Sequence, residues 1–517
     1  MGRVARLGDR PQGLGGRFVV VQWVVMKGDS FPQILDRVAI AAIVILSLVT
    51  IVLLAGGDKS IPRVRGFSWN EATISSFDRA FTLTFNRPMN RDSVENNLQI
   101  DPPLPGKMSW AGQRMAYTVL YPAPYGTSYR LKLSGARDRF TEADDTDHYI
   151  DPFEGEFQSR DRVMLYLGSE EGERGRLVLY NFTQDRKTIL TPSDMTVMDF
   201  QMYPDGDRIL FSAIDRERGR QGLTESQIYT VTTGLNFAGN SSDSAGRIQR
   251  LVDNRTYQNL QFALAPDGTT VVVQRARRDR PGSDFGLWVI RDGQAPERFP
   301  TEPGGEFVIA PNSKELAMAQ GQGVALLSIE PGTEGNEPLE FFPQYGRVMG
   351  FTQDGRAAVM VKFNTDYTRS MVVVPNIGEP QEIFRTSGSI LDAEFDPTGR
   401  YIYALVTELL EADEYIEQPY ILALDLETQD SKELVRFERS PMDLSMSLAP
   451  DGQAILFDRL NIISAGEGPD LPLTQSGEAV DASQLWILFP LVDSQGELTR
   501  PQPEQLPLDG FNPKWLP

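Results

Sequence analysis

The sequence predicts an all-β protein: an N-terminal transmembrane helix, then a β-sandwich, then a seven-bladed β-propeller closed by a C-terminal strand. Three observations predict it. One is a charge-free apolar run near the N-terminus, one is period-two alternation just after it, and one is a hairpin that recurs six times over the rest of the chain.

The apolar run is VAIAAIVILSLVTIVLL, Val38 to Leu54, and Ala55 to Gly57 extend it toward the about 20 residues needed to cross a bilayer. Residues 38–57 therefore read as a membrane helix. Arg3, Arg6, Arg10, Arg17, Lys27 and Arg37 precede it, a positive flank that favours retention of residues 1–37 in the cytoplasm. The expectation is a single-pass protein of the bacterial inner membrane with its bulk on the extracytoplasmic side. A cleaved signal peptide is the competing reading, since Ala55-Gly56-Gly57 supplies small residues at a cleavage position. Met26 is an alternative start.

Residues 62–160 alternate apolar and polar positions between turn signals: AFTLTFN from Ala80, NLQIDP from Asn97, AYTVLYP from Ala116 and SYRLKLSG from Ser128. Such alternation predicts a β-sandwich of roughly 100 residues. LTFNRPMNRDSVENNLQI from Leu83, Gly-Thr-x-Tyr at Gly126 to Tyr129 and GARD from Gly135 resemble the bacterial Ig-like domains of surface proteins. The resemblance implies a spacer or adhesion module. The loop EADDTDHYID, Glu142 to Asp151, gathers Asp144, Asp145, Asp147 and Asp151 beside His148, and carboxylate oxygens suit Ca²⁺. Its spacing matches no calcium loop, and it reads as a solvated turn.

Over 161–517 six segments align without gaps: MYPDGDRILFSAI from Met202, LAPDGTTVVVQRA from Leu264, IAPNSKELAMAQG from Ile309, FTQDGRAAVMVKF from Phe351, FDPTGRYIYALVT from Phe395 and LAPDGQAILFDRL from Leu448. Each is a strand end, a tight turn and a second strand, and a third and a more polar fourth strand follow. Four strands repeated every roughly 40 to 50 residues predict a β-propeller. VMLYLGS from Val163, GRLVLYNF from Gly175 and KTILT from Lys187 supply three strands of a further blade. DGFNPKW from Asp509 matches the first strand that this blade lacks, so seven blades are expected, the terminal strand removing an open sheet edge. The hairpins resemble the repeats of TolB-type, WD40-like propellers of bacterial envelopes, although no Trp-Asp dipeptide closes a blade. In each turn Gly is expected to supply φ > 0 and Asp to satisfy local backbone donors.

Composition narrows the function. The chain has 517 residues, 50 Lys plus Arg against 71 Asp plus Glu, and a net charge of -21, which disfavours nucleic acid as partner. It has no cysteine and one histidine, His148, which removes thiolate catalysis, Cys-based metal sites and most histidine chemistry. No nucleophile elbow of the Gly-x-Ser-x-Gly type is present. No catalytic residue, cofactor or metal is expected. The reading is a membrane-anchored envelope binding or scaffolding protein that uses a propeller face to hold an envelope protein or an anionic glycan. A propeller-type glycan hydrolase using two carboxylates, and a purely structural spacer, stand as alternatives.

The candidate partner-binding residues lie in two loops joining second to third strands, opposite the Pro-Asp-Gly turns. IDRERGRQGLTES from Ile214 carries Arg216, Arg218 and Arg220, and QRARRDRPGSDF from Gln274 carries Arg275, Arg277, Arg278 and Arg280. Seven arginines in neighbouring loops would form a basic sector suited to carboxylates or phosphates. Across the ring, TELLEADEYIEQ from Thr407 offers Glu408, Glu411, Asp413, Glu414 and Glu417, so a dipolar face is expected.

Overall fold

In a computed structural model of the chain, all six repeated turns close with the same backbone hydrogen bond. The N–H groups of Gly206, Gly268, Ser313, Gly355, Gly399 and Gly452 donate to the carbonyl three residues earlier, at 2.8–3.0 Å. The five glycines have φ of 69° to 75°, and Ser313, where the third copy departs from Asp-Gly, takes φ 58°. In four of the six turns the residue before them caps the turn. Asp267, Asn312, Asp354 and Asp451 each accept the backbone N–H two residues ahead at 2.9–3.1 Å, as expected of an Asx-turn.

The structure describes residues 34–55, 61–139, 149–235, 243–280, 282, 284–291, 294–332, 337–410, 415–437, 444–463, 471–472, 474, 479–489, 491–493 and 497–517. Two compact units divide the chain, 1–61 and 62–517. The first holds one helix, Ile34–Ala55. Its side chains are described over 37–51, and among the described residues no helix is long and apolar enough to cross a membrane. The expected span 38–57 runs past the described residues at its C-terminal end.

Within the second unit, residues 62–159 form two four-stranded sheets. One joins Val64–Phe67, Ala80–Phe85, Arg114–Val119 and Gly106–Ala111; the other joins Thr73–Ile74, Phe153–Ser159, Ser128–Leu133 and Leu98–Asp101. Strict alternation of burial along Ala80–Phe85 and Ser128–Leu133 puts Phe81, Leu83, Phe85, Tyr129, Leu131 and Leu133 into one shared core. Four elements escaped the sequence reading, among them the short strands Val64–Phe67 and Thr73–Ile74. The strand Gly106–Ala111 has few apolar residues, and the short helix Arg91–Asn97 is announced only by Asn90, whose side chain accepts the Ser93 N–H at 2.9 Å.

Seven further four-stranded sheets follow among the described residues. Sheets I to VI are consecutive in the chain, at 195–252, 257–299, 307–342, 347–386, 390–436 and 446–505. Sheet VII is composite: Arg186–Ile189, Leu177–Asn181 and Val163–Gly168 from the start of this region pair in that order, and the C-terminal strand Gly510–Trp515 completes the edge. Gly510 lies opposite Gly168, and a side chain there would meet the Tyr166 ring at 2.3 Å. The all-β architecture is consistent with a propeller. One loop differs from expectation: Arg216–Glu225, between the second and third strands of sheet I, is a 3-10 helix whose N-cap, Asp215, accepts the Glu217 N–H at 3.0 Å.

Neighbouring first strands are linked by side chains rather than by ladders. The Gln201 amide of sheet I accepts the Leu264 N–H at 2.7 Å and donates to the Phe262 carbonyl at 3.2 Å on sheet II. Glu394 of sheet V accepts the Leu448 N–H of sheet VI at 3.3 Å, and Ser447 of sheet VI accepts the Trp515 N–H of sheet VII at 3.2 Å. Lys514 of sheet VII then reaches the Phe200 carbonyl of sheet I at 2.9 Å, so the last sheet meets the first.

Removing the terminal strand should therefore cost more than its length suggests. Trp515 is buried against Phe182, with ring centroids 5.5 Å apart, and Trp515→Ala should destabilise by roughly 3–5 kcal/mol in urea unfolding. Deleting Gly510 to Pro517 should leave the edge of Val163–Gly168 open and lower both melting temperature and solubility. Wild-type values for that truncation would contradict the closure.

Candidate functional site

Two regions gather chemistry-bearing side chains: the line of first strands, and the loops joining second to third strands. In the first, β-bulges set the geometry. The first strands of sheets I and V bulge just before Asp199 and Asp392, which breaks the ladder and frees one backbone donor in each. The two aspartates take up equivalent donors: Asp199 accepts the Phe200 N–H and Asp392 the Ala393 N–H, each at 2.8 Å. Two residues on, Gln201 and Glu394 occupy matching positions and reach toward the next sheet, as described above. Lys514, 3.4 Å from Asp199, brings a cation into this polar set.

Burial followed by the neighbouring Asp392 carboxylate pushes Glu394 up to about 8 from its ordinary 4.5, against the Leu448 N–H and Lys514. Burial likewise raises Asp392, against the Ala393 N–H, Arg347 and Lys514. At neutral pH Glu394 thus holds its proton, and the pair carries less negative charge than two free carboxylates. Sequence reasoning missed this set. Its one sequence signal is a polar residue at every second position of an otherwise apolar first strand, as in Asp392 and Glu394 or Asp199 and Gln201.

The arginine loops lie on sheets I and II, and Arg278 of one approaches Glu225 of the other. Glu225 is the shared carboxylate: Arg218 pairs with it, and Arg278 approaches it at 3.7 Å. Arg216 is spent on backbone, donating to the carbonyls of Arg174 and Met195. Arg275 is buried, with its guanidinium 4.9 Å from the Tyr257 ring and 5.7 Å from that of Trp288, and donates to the Asp253 carbonyl at 3.2 Å. That burial lowers its pKa against the pull of Asp253. Arg277 holds Asp279 at 2.6 Å, and Arg278 also donates to the Asn254 carbonyl at 3.1 Å. Arg280 is exposed beside them, and the side chain of Arg220 lies outside the described residues. Local carboxylates and carbonyls therefore meet most of the positive charge. Arg277, Arg278 and Arg280 reach solvent at the tip of the sheet II loop, and Arg218 does so on the sheet I loop.

The acidic loop of sheet V is similarly engaged. Glu408 pairs with Arg436 at 3.0 Å, and Glu417 accepts from Thr407, Tyr415 and Ser389. Glu411, Asp413 and Glu414 lie outside the described residues, as do Asp144, Asp145, Asp147 and His148 of the loop considered for calcium. Among the described residues no group of three or more His, Cys, Asp or Glu is placed to hold a metal ion.

Replacing Glu394 by Gln gives a test with a defined sign. The native state holds the Glu394 proton up to about pH 8, whereas the unfolded chain releases it near 4.5. Wild-type stability should therefore fall as pH rises between those values. Glu394→Gln, which copies the amide at the matching Gln201 position, should flatten that slope and be the more stable protein at pH 8 to 9. A variant equal to or weaker than wild type at pH 8.5 in thermal unfolding would contradict the protonated carboxyl.

No family model matches the chain, and no curated protein does. Solved structures that it is similar to include TolB from Acinetobacter baumannii, at 10% identity over 81% of this chain and 83% of that one, with a TM-score of 0.38. A periplasmic gluconolactonase of Pseudomonas aeruginosa matches at 14% identity over 69% of this chain and 99% of that one, TM-score 0.42. An oligogalacturonate lyase from Vibrio parahaemolyticus matches at 10% identity over 65% of this chain and 92% of that one, TM-score 0.42.

Proposed function

We propose that this chain is a membrane-anchored envelope protein that binds or scaffolds a partner. In this reading Val38 to Leu54 is an uncleaved anchor, 62–160 is an Ig-like module, and sheets I to VII are the blades of one seven-bladed propeller. The links between the first strands of sheets I and II, V and VI, and VI and VII, ending with Lys514 on the Phe200 carbonyl, support the ring.

One observation carries the binding role. The two-sheet segment is fastened to the side of the ring that bears the Pro-Asp-Gly turns. Asp451, in the turn of sheet VI, accepts the Tyr125 N–H at 2.8 Å and the Arg162 guanidinium at 2.5 Å. Arg160 donates to the Pro204 carbonyl in the turn of sheet I at 3.3 Å and to Pro517 at 2.8 Å. Arg79 reaches the Pro397 carbonyl in the turn of sheet V at 3.5 Å. With the turns of sheets I, V and VI so occupied, the loops joining second to third strands are the broadest surface left for a macromolecular partner. Arg277, Arg278 and Arg280 at one loop tip suit an acidic envelope protein or an anionic glycan, and they can exchange Asp279 and Glu225 for the partner's own carboxylates.

Asp392 and Glu394 favour a second reading, a glycan hydrolase. One carboxyl held protonated to about 8 beside another is the pairing that acid-assisted glycoside cleavage needs. Hydrolysis of anionic glycans that disappears in Glu394→Gln would select it over the binding role.

Reversing Arg277, Arg278 and Arg280 to Glu should abolish capture of the envelope partner, read by affinity purification and mass spectrometry. Exposed pairs contribute about 0–1 kcal/mol each, so the melting temperature should change little. Unchanged capture would remove this loop tip from the interface. Protease added to intact spheroplasts should digest the propeller, and protection would reverse the proposed topology.

A further inference from the structure

The clefts between successive sheets are chemically unequal. Between sheets I and II a hollow of about 520 Å³ has Arg208, Arg250 and Arg291 in its wall together with Asp205 and Asp267. Between sheets III and IV a hollow of about 480 Å³ has Glu315, Glu340 and Asp354 and, among the described residues, neither Lys nor Arg. Both volumes fall in the range of about 300–1,000 Å³ common to small-molecule sites. Charge separates them.

Strand register explains how the second cleft comes to pair carboxylates with an apolar floor. On one face of sheet III, Ala317, Leu326 and Glu340 lie in one cross-strand row, and Phe342 is opposite Val324 in the next. Glu315, two residues before Ala317, shares that face. Ala358 and Met360 of sheet IV supply the opposite wall. Ala317, Val324, Ala358 and Met360 are buried in the core between these sheets, whereas Leu326, Phe342 and Phe351 are only partly covered. The packing therefore stops short of filling the cleft and leaves apolar surface beneath an acidic rim.

That rim is not neutralised from within. Asp354 has Arg356 at 3.2 Å, and Arg356 and Arg79 line an adjoining hollow that shares only Gln353 and Asp354 with this one. Glu315 and Glu340 differ: among the described residues neither carboxylate has an ion pair or a hydrogen bond. Two uncompensated carboxylates above Phe342, Phe351 and Met360 match one ligand chemistry. A cation is drawn by the carboxylates and by the aromatic faces, and an apolar body fills the space below.

We propose that the cleft between sheets III and IV binds an organic cation, an ammonium carried on an aryl or short alkyl body. The site is independent of the arginine loop and lies on the turn side of the sheets. The ammonium sits between Glu315 and Glu340, and the body lies on Leu326 and Phe342.

Calorimetric titration of the purified full-length chain tests this with two probes of similar body and opposite charge, 2-phenylethylammonium and 3-phenylpropionate. The cation should bind saturably at one site, and the anion should not. Glu315→Gln combined with Glu340→Gln should weaken the cation by about tenfold or more. Ala358→Phe should abolish binding by filling the cleft. If that variant fails to fold, the rim double variant decides, because both of its positions have access to solvent. Equal binding of the anion, cation affinity unchanged in the double variant, or no saturable heat at millimolar cation would each overturn the proposal.

Discussion

The pairing of Gly510–Trp515 with Val163–Gly168 is the constraint on which the rest of the molecule depends. It joins residues more than 300 positions apart, so its loop-closure entropy is paid only when every sheet between them is in place. In return it covers the edge of Val163–Gly168 and gives the last sheet the four strands that the others have. Its side chains extend the effect. Lys514 reaches sheet I, Trp515 reaches sheet VI, and Phe511 and Leu516 enter the core shared with sheet I. A strand of six residues thereby touches both neighbours of its sheet.

The same closure decides where the two-sheet segment sits. Arg162, just before Val163–Gly168 of sheet VII, has its guanidinium 5.6 Å from the Trp515 ring and bonded to Asp451. Arg160 donates to Pro517. Chain entry and chain end are thus tied together, and both are tied to a turn of sheet VI. Asp451 has a fully buried side chain, and such a charge is tolerable only while its partners are present; loss of Arg162 would leave it uncompensated, a defect of about 3–5 kcal/mol in buried pairs. An aspartate that began as a turn residue, capping the Gln453 N–H, has acquired a second task in this one copy of the repeat.

Much of this was legible in the sequence because turns and apolar strands obey local rules. The φ > 0 position in each Pro-Asp-Gly turn selects glycine, and Asp or Asn before it captures a backbone donor, so the hairpins could be read without knowing their neighbours. Strand composition and the split sheet followed from counting. What stayed hidden depends on register between sheets. That Asp392 and Glu394 stand beside Lys514 follows from a bulge at Leu391 and from a terminal strand far away in sequence, and neither leaves a periodic trace. The strand Gly106–Ala111 was hidden differently: its alternation is one of partial burial, with only Met108 and Trp110 to mark it.

The arginine loops show why charge counts mislead in a protein of net charge -21. Seven arginines in two loops suggest a free basic sector, yet in a chain rich in carboxylates most find a local partner at little conformational cost. Glu225 lies between two of them, Asp279 is two residues from Arg277, and Arg275 is drawn under aromatic rings, where it acts as packing as much as charge. The converse holds at the cleft between sheets III and IV. Glu315 and Glu340 are unremarkable in the sequence, and strand register alone sets them on one face without a cation. In this molecule the informative charges are the ones that local pairing leaves over, and these emerge only when strands are placed side by side.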